Sequence, residues 1–280
     1  MKKFMKVCGI LSLVLIVAGF AMALVSGAIG GPIIYSQLKS SLQNLDSGAF
    51  FDIENNMAFD TNYTVFQGDT EQSFAAEDVR ELNVEAGACQ LVIEESEDEE
   101  FHVNVQGAGK YQGYLKGDTL CIKGVRGTVL GNGGQECRIS LAVPKGTSFQ
   151  EIELSLGAGQ VSGKTELSAE RMKIELGAGE ITLSGLTAEE FEAEVGMGAL
   201  TVHADIQKKA DVECAMGSIA MFLAGAKTDY NYQVEAAAGE VNIGGQSISG
   251  VAGEWNISND APRDISVECA MGSIAISFEE

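Results

Sequence analysis

The chain has 280 residues, 45% of them hydrophobic, with 18 Lys and Arg against 40 Asp and Glu and a formal net charge of −22 at pH 7. That apolar content can build a real core in one large domain or two small ones, which excludes general disorder. The charge excludes nucleic acid as a natural partner, because affinity for phosphate comes mainly from Lys and Arg displacing counterions, and it disfavours a body resting on anionic lipid.

Membrane contact therefore needs a dedicated segment, and residues 1–31 supply one. Lys2, Lys3 and Lys6 precede an uncharged apolar run from Val7 to about Ile29. About 20 such residues at 1.5 Å each span a hydrocarbon core of ~30 Å, so the run predicts a single-pass transmembrane helix. The lysines hold the N-terminus in the cytoplasm and place the C-terminal domain outside the cell membrane. Ala21-Met22-Ala23 also fits a signal-peptide cleavage site, in which case the rest is secreted; apolar character continuing through Leu24, Val25, Ile29 and Ile33 favours the anchor. Residues 32–75 are polar and irregular and are expected to form a stalk that becomes a cap.

Residues 76–280 repeat. Seven segments align, at 82–93, 152–161, 172–183, 191–202, 210–221, 232–243 and 265–276, with cores such as Leu176-Gly-Ala-Gly179 and Cys214-Ala-Met-Gly217. The second glycines of six copies, Gly159, Gly179, Gly198, Gly217, Gly239 and Gly272, are separated by 20, 19, 19, 22 and 33 residues. A period of about 20 residues is that of a solenoid turn. Apolar residues alternate within each copy, as at Ile174, Leu176, Ile181 and Leu183, which is strand periodicity. The glycines let the backbone turn or approach its neighbour closely. The expected fold is all-β: a single-stranded β-helix or solenoid of ~20-residue Gly-punctuated rungs behind one N-terminal transmembrane helix. Rungs stacked in chain order would end flush at 276–280, where Glu279 and Glu280 would guard the last open edge. Candidate strands at 101–105, 119–123 and 137–143 are expected as irregular first rungs, with a small β-sandwich as the alternative.

One position of the repeat is acidic in Glu85, Glu175, Glu194, Glu213, Glu235 and Glu268, with Ser155 the exception. Rungs in register would set these carboxylates about 4.8 Å apart on one face. Like charges so placed call for a counter-ion, raised pKa values or fanned side chains. Glu175, Glu194, Glu213, Glu235 and Glu268 are thus a candidate Ca2+ column, against the plainer reading of a solvated face. The acidic run 94–100 has the composition of a solvated turn. Cys89, Cys121, Cys137, Cys214 and Cys269 have no C-x-x-C spacing, so zinc is not expected; Cys121 with Cys137 is a candidate bridge, and burial as small apolar residues is the plainer reading. His102 and His203 sit in strand-like alternation with no catalytic motif around them. Gly131-Asn-Gly-Gly134 lacks the Lys and Ser or Thr of a phosphate loop, and is expected as a turn.

Arg138-Ile-Ser-Leu-Ala-Val-Pro144-Lys-Gly146, followed by Glu151-Ile-Glu-Leu-Ser-Leu-Gly-Ala-Gly-Gln-Val161 and its successors, resembles the bacterial “putative adhesin” family of membrane-anchored β-solenoid domains of unknown function, over about residues 75–280. The resemblance implies a stack of short strands outside a bacterial cell, often encoded near envelope-stress or regulatory systems, and implies no catalytic residues; apart from the candidate Ca2+ column no cofactor is expected. The expected function is non-enzymatic, an adhesin or scaffold with a cell-wall or protein partner. The alternatives are an envelope-stress accessory acting through a membrane partner and a polysaccharide-active β-helix enzyme, the latter disfavoured because so acidic a surface repels polyuronate.

Overall fold

Alternating apolar and polar residues put one side of each strand inward and the other in water, and the chain satisfies its backbone by pairing strand upon strand. The computed structural model describes residues 59–107, 109–126, 137–249 and 253–279. The expected membrane segment, residues 32–58 of the stalk and Gly131-Asn-Gly-Gly134 lie outside them. The described residues are all-β, without α-helix, and no helix among them is long and apolar enough to cross a membrane.

The strands are β1 (Phe66–Gln67), β2 (Thr70–Ala75), β3 (Glu81–Glu95), β4 (Glu100–Gln106), β5 (Gly109–Lys116), β6 (Thr119–Arg126), β7 (Cys137–Val143), β8 (Ser148–Gly163) and β9 (Leu167–Leu176). They continue with β10 (Glu180–Val195), β11 (Ala199–Cys214), β12 (Ser218–Ala224), β13 (Tyr230–Ala236), β14 (Glu240–Ile243), β15 (Gln246–Ser249), β16 (Gly253–Ile257), β17 (Arg263–Cys269) and β18 (Ser273–Glu279). Long strands wrap a corner, so one half lies on each of two faces. On the first face the order is β1-β5-β6-β3-β8-β9-β10-β11-β17-β13-β16. On the second it is β2-β4-β7-β3-β8-β10-β11-β12-β18-β14-β15. The inner pairings are parallel and the outermost are antiparallel, so hairpins close both ends.

Inward residues such as Leu154, Ile174, Ala193, Val212 and Val267 stack in one buried column between the faces. The repeat glycines form the corner. A Cβ on Gly179 would lie 2.1 Å from the carbonyl oxygen of Gly159, and those on Gly198, Gly217, Gly272 and Gly239 would lie 2.2 to 2.8 Å from the carbonyl of the glycine before each in the stack. Close backbone approach is why this position is glycine. In Val143-Pro-Lys-Gly146 the Thr147 amide donates to Pro144 O at 3.2 Å and Gly146 has φ +74°, a tight lead-in to β8.

The rungs do not stack in chain order, which corrects the expected flush ending. The β17–β18 rung pairs with β11 and β12 on one side and with β13 and β14 on the other, so the C-terminal copy is an interior rung and Glu279 pairs with Ala224 instead of guarding an edge. The chain leaves β12, builds β13–β14 two rungs out, turns back through β15 and β16, and fills the space between with β17–β18. The return is latched: Asn259 Nδ2 donates to Tyr230 O at 2.6 Å, and Arg263 reaches Tyr230 Oη at 3.0 Å and Asp205 at 3.4 Å. At the other end 101–143 are not successive rungs. β6 and β7 run parallel to β3, whereas β4 and β5 run antiparallel as part of the end closure, and β3 pairs directly with β8 across a 70-residue separation.

Candidate functional site

Since outward residues recur every second position, each rung adds one residue to each outward row. The candidate column is assembled: Lys123, Glu85, Ser155, Glu175, Glu194, Glu213, Glu268, Glu235 and Glu254 are neighbours in register along the first face. Six consecutive glutamates, from Glu175 to Glu254, make one unbroken row. Glu254 was not anticipated, because β16 comes back antiparallel and carries no Gly-containing core. A parallel row holds Asn83, Glu153, Lys173, Glu192, Asp211, Ser266 and Gln233.

Cations are interleaved sparingly. Lys173 Nζ lies 2.8 Å from Glu175 and 3.5 Å from Glu192, Lys123 lies 2.8 Å from Glu85, and Ser155 Oγ donates to Glu175 at 3.2 Å. Both Glu194 and Glu213 keep exposed surface but are flanked by rungs on either side, and lost hydration pushes both carboxyls above the usual glutamate range. At Glu213 the carboxylates of Glu268 and Glu194 push further in the same direction; at Glu194, Lys173 partly opposes the shift. Glu153 is raised too, by burial and then by Glu175. Among the described residues, no three acidic, His or Cys side chains converge as a metal site requires; the row spreads its charge along the stack.

A carboxyl whose folded pKa is raised binds its proton more readily folded than unfolded, so stability grows as pH falls from neutral towards the ordinary glutamate value of 4.5. Below that the gain is complete, and Asp98, whose carboxyl is held low chiefly by the Glu100 amide, acts with the opposite sign beneath its ordinary 3.8. Melting temperature is therefore expected to rise between pH 7.5 and pH 5. Glu213→Gln, which removes a like-charge neighbour worth about 0.2–1 kcal/mol, is expected to raise it by about 1–3 °C at pH 7.5 and to flatten the pH profile. A melting temperature that falls steadily from pH 7.5 to 5 would contradict this reading.

The second face differs in kind. Ser162, Thr182, Thr201, Ala220, Ala275 and Asn242 form one outward row, and Gln160, Glu180, Ala199, Ser218, Ser273 and Glu240 another. Of the two histidines, His203 stacks on Phe222 with ring centroids 4.4 Å apart and lies 3.3 Å from Glu279. His102 acquires partners that no motif announced: Ser73 Oγ lies 2.9 Å from its Nδ1 and Asp98 Oδ1 lies 2.8 Å from its Nε2, at an exposed point where β2 pairs with β4.

All five described cysteines are buried. The candidate pair Cys121 and Cys137 is not brought together. Cys121 faces Asn83 in the ladder and hydrogen-bonds with Tyr114, whereas Cys137 is in register with Cys89. Nearness in sequence misled here because β6 and β7 occupy different faces of the same rung.

Residues 79–280 match the family model described as Toastrack DUF4097. Among solved structures, a “putative cell adhesion protein” from Clostridium sporogenes ATCC 15579 is 15% identical, with 75% of this chain and 100% of that chain covered and a TM-score of 0.42. A “putative adhesin” from Bacteroides fragilis NCTC 9343 is 12% identical, covering 76% and 97%, with a TM-score of 0.36. Another “putative adhesin”, from Parabacteroides distasonis ATCC 8503, is 12% identical, covering 75% and 97%, with a TM-score of 0.36. No curated protein matches the chain. Likeness at these levels assigns neither ligand nor activity.

Proposed function

The chain belongs to the Toastrack DUF4097 family, and we propose that it is a non-enzymatic protein of the bacterial cell envelope, whose folded part is a β-solenoid held outside the membrane by an N-terminal anchor. The observation that carries this reading is the unbroken glutamate row on the first face. Stacked parallel strands hold side chains at a fixed spacing over many rungs, which suits presentation of a long, rigid, acidic surface to a cell-wall polymer or protein partner. The uncharged run from Val7 to about Ile29 behind three lysines supports the anchor. The test is to express the full chain with a C-terminal epitope, fractionate, and treat spheroplasts with protease. The reading expects a membrane-bound protein whose epitope is lost to external protease; a cytosolic or fully protected epitope would contradict it.

A second reading, an envelope-stress accessory acting through residues 1–75, is favoured by the same apolar run. It is separated by deleting 76–280, since only the accessory role survives that deletion. The Ser73–His102–Asp98 contact gives the non-enzymatic reading its sharpest test, because a hydroxyl, imidazole and carboxylate in hydrogen-bond order are the parts of an acyl-transfer centre. Hydrolysis of p-nitrophenyl acetate is expected to be equal for the wild type and Ser73→Ala. Turnover by the wild type that Ser73→Ala abolishes would overturn the reading.

A further inference from the structure

The threading of the stack brings cysteines together that the chain keeps far apart. Cys214 on β11 and Cys269 on β17 are direct in-register neighbours in a parallel ladder, as are Cys89 on β3 and Cys137 on β7. All four are at most 3% exposed. Within each pair the thiols hydrogen-bond to one another. Neighbouring parallel strands lie about 4.8 Å apart, inside the roughly 4.4–6.8 Å Cα separation that a disulfide spans. Room for the sulfurs is built into the next rung: a Cβ on Gly272 would lie 2.5 Å from Cys214 Sγ, and one on Gly239 would lie 2.3 Å from Cys269 Sγ.

We propose that Cys214–Cys269 and Cys89–Cys137 close as two cross-rung disulfides when the chain folds under oxidising conditions, while Cys121 stays a thiol. The oxidant is a disulfide carrier, either a dithiol oxidase in its oxidised form or glutathione disulfide. One cysteine thiolate attacks the carrier's S–S bond, forming a mixed disulfide and releasing one carrier thiolate. The facing cysteine, losing its proton to solvent, then attacks the protein sulfur of that mixed disulfide and expels the second thiolate. Two protein thiols are thereby oxidised to one disulfide and one carrier disulfide is reduced to two thiols.

Burial sets the order of events. The carrier must reach the sulfurs before the rungs close, so the Cys214–Cys269 bond forms as β17 arrives, and it then fastens the out-of-order rung to the body of the stack. Each bridge closes a loop of about 50 residues, and a crosslink across a loop of that length restrains the unfolded chain more than one across a short turn.

The experiment refolds the full chain in a glutathione buffer poised near about −180 mV, alkylates in denaturant without reductant, and maps peptides by mass spectrometry. The expected map joins the peptide of Cys214 to that of Cys269 and the peptide of Cys89 to that of Cys137, with Cys121 alkylated. The melting temperature of the oxidised protein should exceed that of fully reduced protein by about 10 °C or more. That difference should fall by roughly half in Cys214→Ala/Cys269→Ala and persist in Cys121→Ala. Alkylation at all four positions, or a bridge that includes Cys121, overturns the proposal. A reductant-dependent shift that survives the double substitution removes the β11–β17 bridge from it.

Discussion

Gly179→Ala is expected to lower the melting temperature by about 10 °C or more, corresponding to about 3–5 kcal/mol. The added methyl would sit 2.1 Å from the Gly159 carbonyl oxygen and 2.8 Å from its amide nitrogen, both backbone atoms fixed by the ladder, and φ at Gly179 is +117°, where an L side chain is strained. The rungs would have to separate at the corner, which breaks the interstrand bonds on both sides. Two controls divide the causes. Gly68→Ala has φ +80° with nothing within 4 Å, so only the conformational cost of about 1 kcal/mol applies. Gly185→Ala has no positive φ and its nearest contact is 3.4 Å away, so it should be close to neutral. Equal losses at all three positions, measured by thermal unfolding, would refute a close-packed glycine corner.

Val267→Asp is expected to abolish cooperative folding. Val267 is fully buried in the middle of β17, between Val212 of β11 and Val234 of β13, so an unpaired carboxylate there has no route to water and no cation to meet. Were β17 and β18 the end of the stack, the same change would fray one rung and leave the rest intact. Hydrogen exchange on the wild type checks the position without perturbing it. Amides of β17 and β18 should exchange as slowly as those of β10 and β11, and at least about a thousandfold more slowly than the outer backbone of β15 and β16. Rapid exchange across β17 and β18 would place them at an edge.

Much of this architecture is legible in the sequence because the physics is local. The alternation around Ile174 and Leu176 declares a strand, the recurring glycine after a small residue declares a corner, and spacings of 20, 19, 19 and 22 residues between the first five of those glycines declare rungs of similar length. The glutamate row follows from the same periodicity, so every member except Glu254 could be named before any fold was known. The order of the rungs is another matter. Every parallel rung offers the same hydrogen-bonding edge and the same inward apolar pattern, so periodicity permits β13 or β17 as the next neighbour of β11. One sign was available: Val212-Glu-Cys-Ala-Met-Gly-Ser-Ile-Ala220 and Val267-Glu-Cys-Ala-Met-Gly-Ser-Ile-Ala275 are identical, and these are the two segments that lie against each other. Glu254 escaped notice for lack of a repeat core, and the Ser73–His102–Asp98 contact because it depends on β2 pairing with β4 at the end of the stack. Burial of the cysteines as small apolar residues holds for all five that are described, whereas the candidate pair Cys121 and Cys137 is kept apart because distance along a folded stack is counted in rungs and the two, though close in sequence, are not in register with each other.

The claim on which the acidic surface rests is that Glu213, Glu268 and Glu235 follow one another in that order along the row. Glu213→Cys/Glu268→Cys places two outward cysteines on neighbouring strands, about 4.8 Å apart, whereas Glu213→Cys/Glu235→Cys places them two strand spacings apart, beyond the roughly 7 Å limit for a bridge. Mild oxidation of the folded protein, read by peptide mapping, is predicted to crosslink the first pair and leave the second as thiols. Crosslinking of the second pair and failure of the first would show that the rungs stack in chain order and would contradict the account.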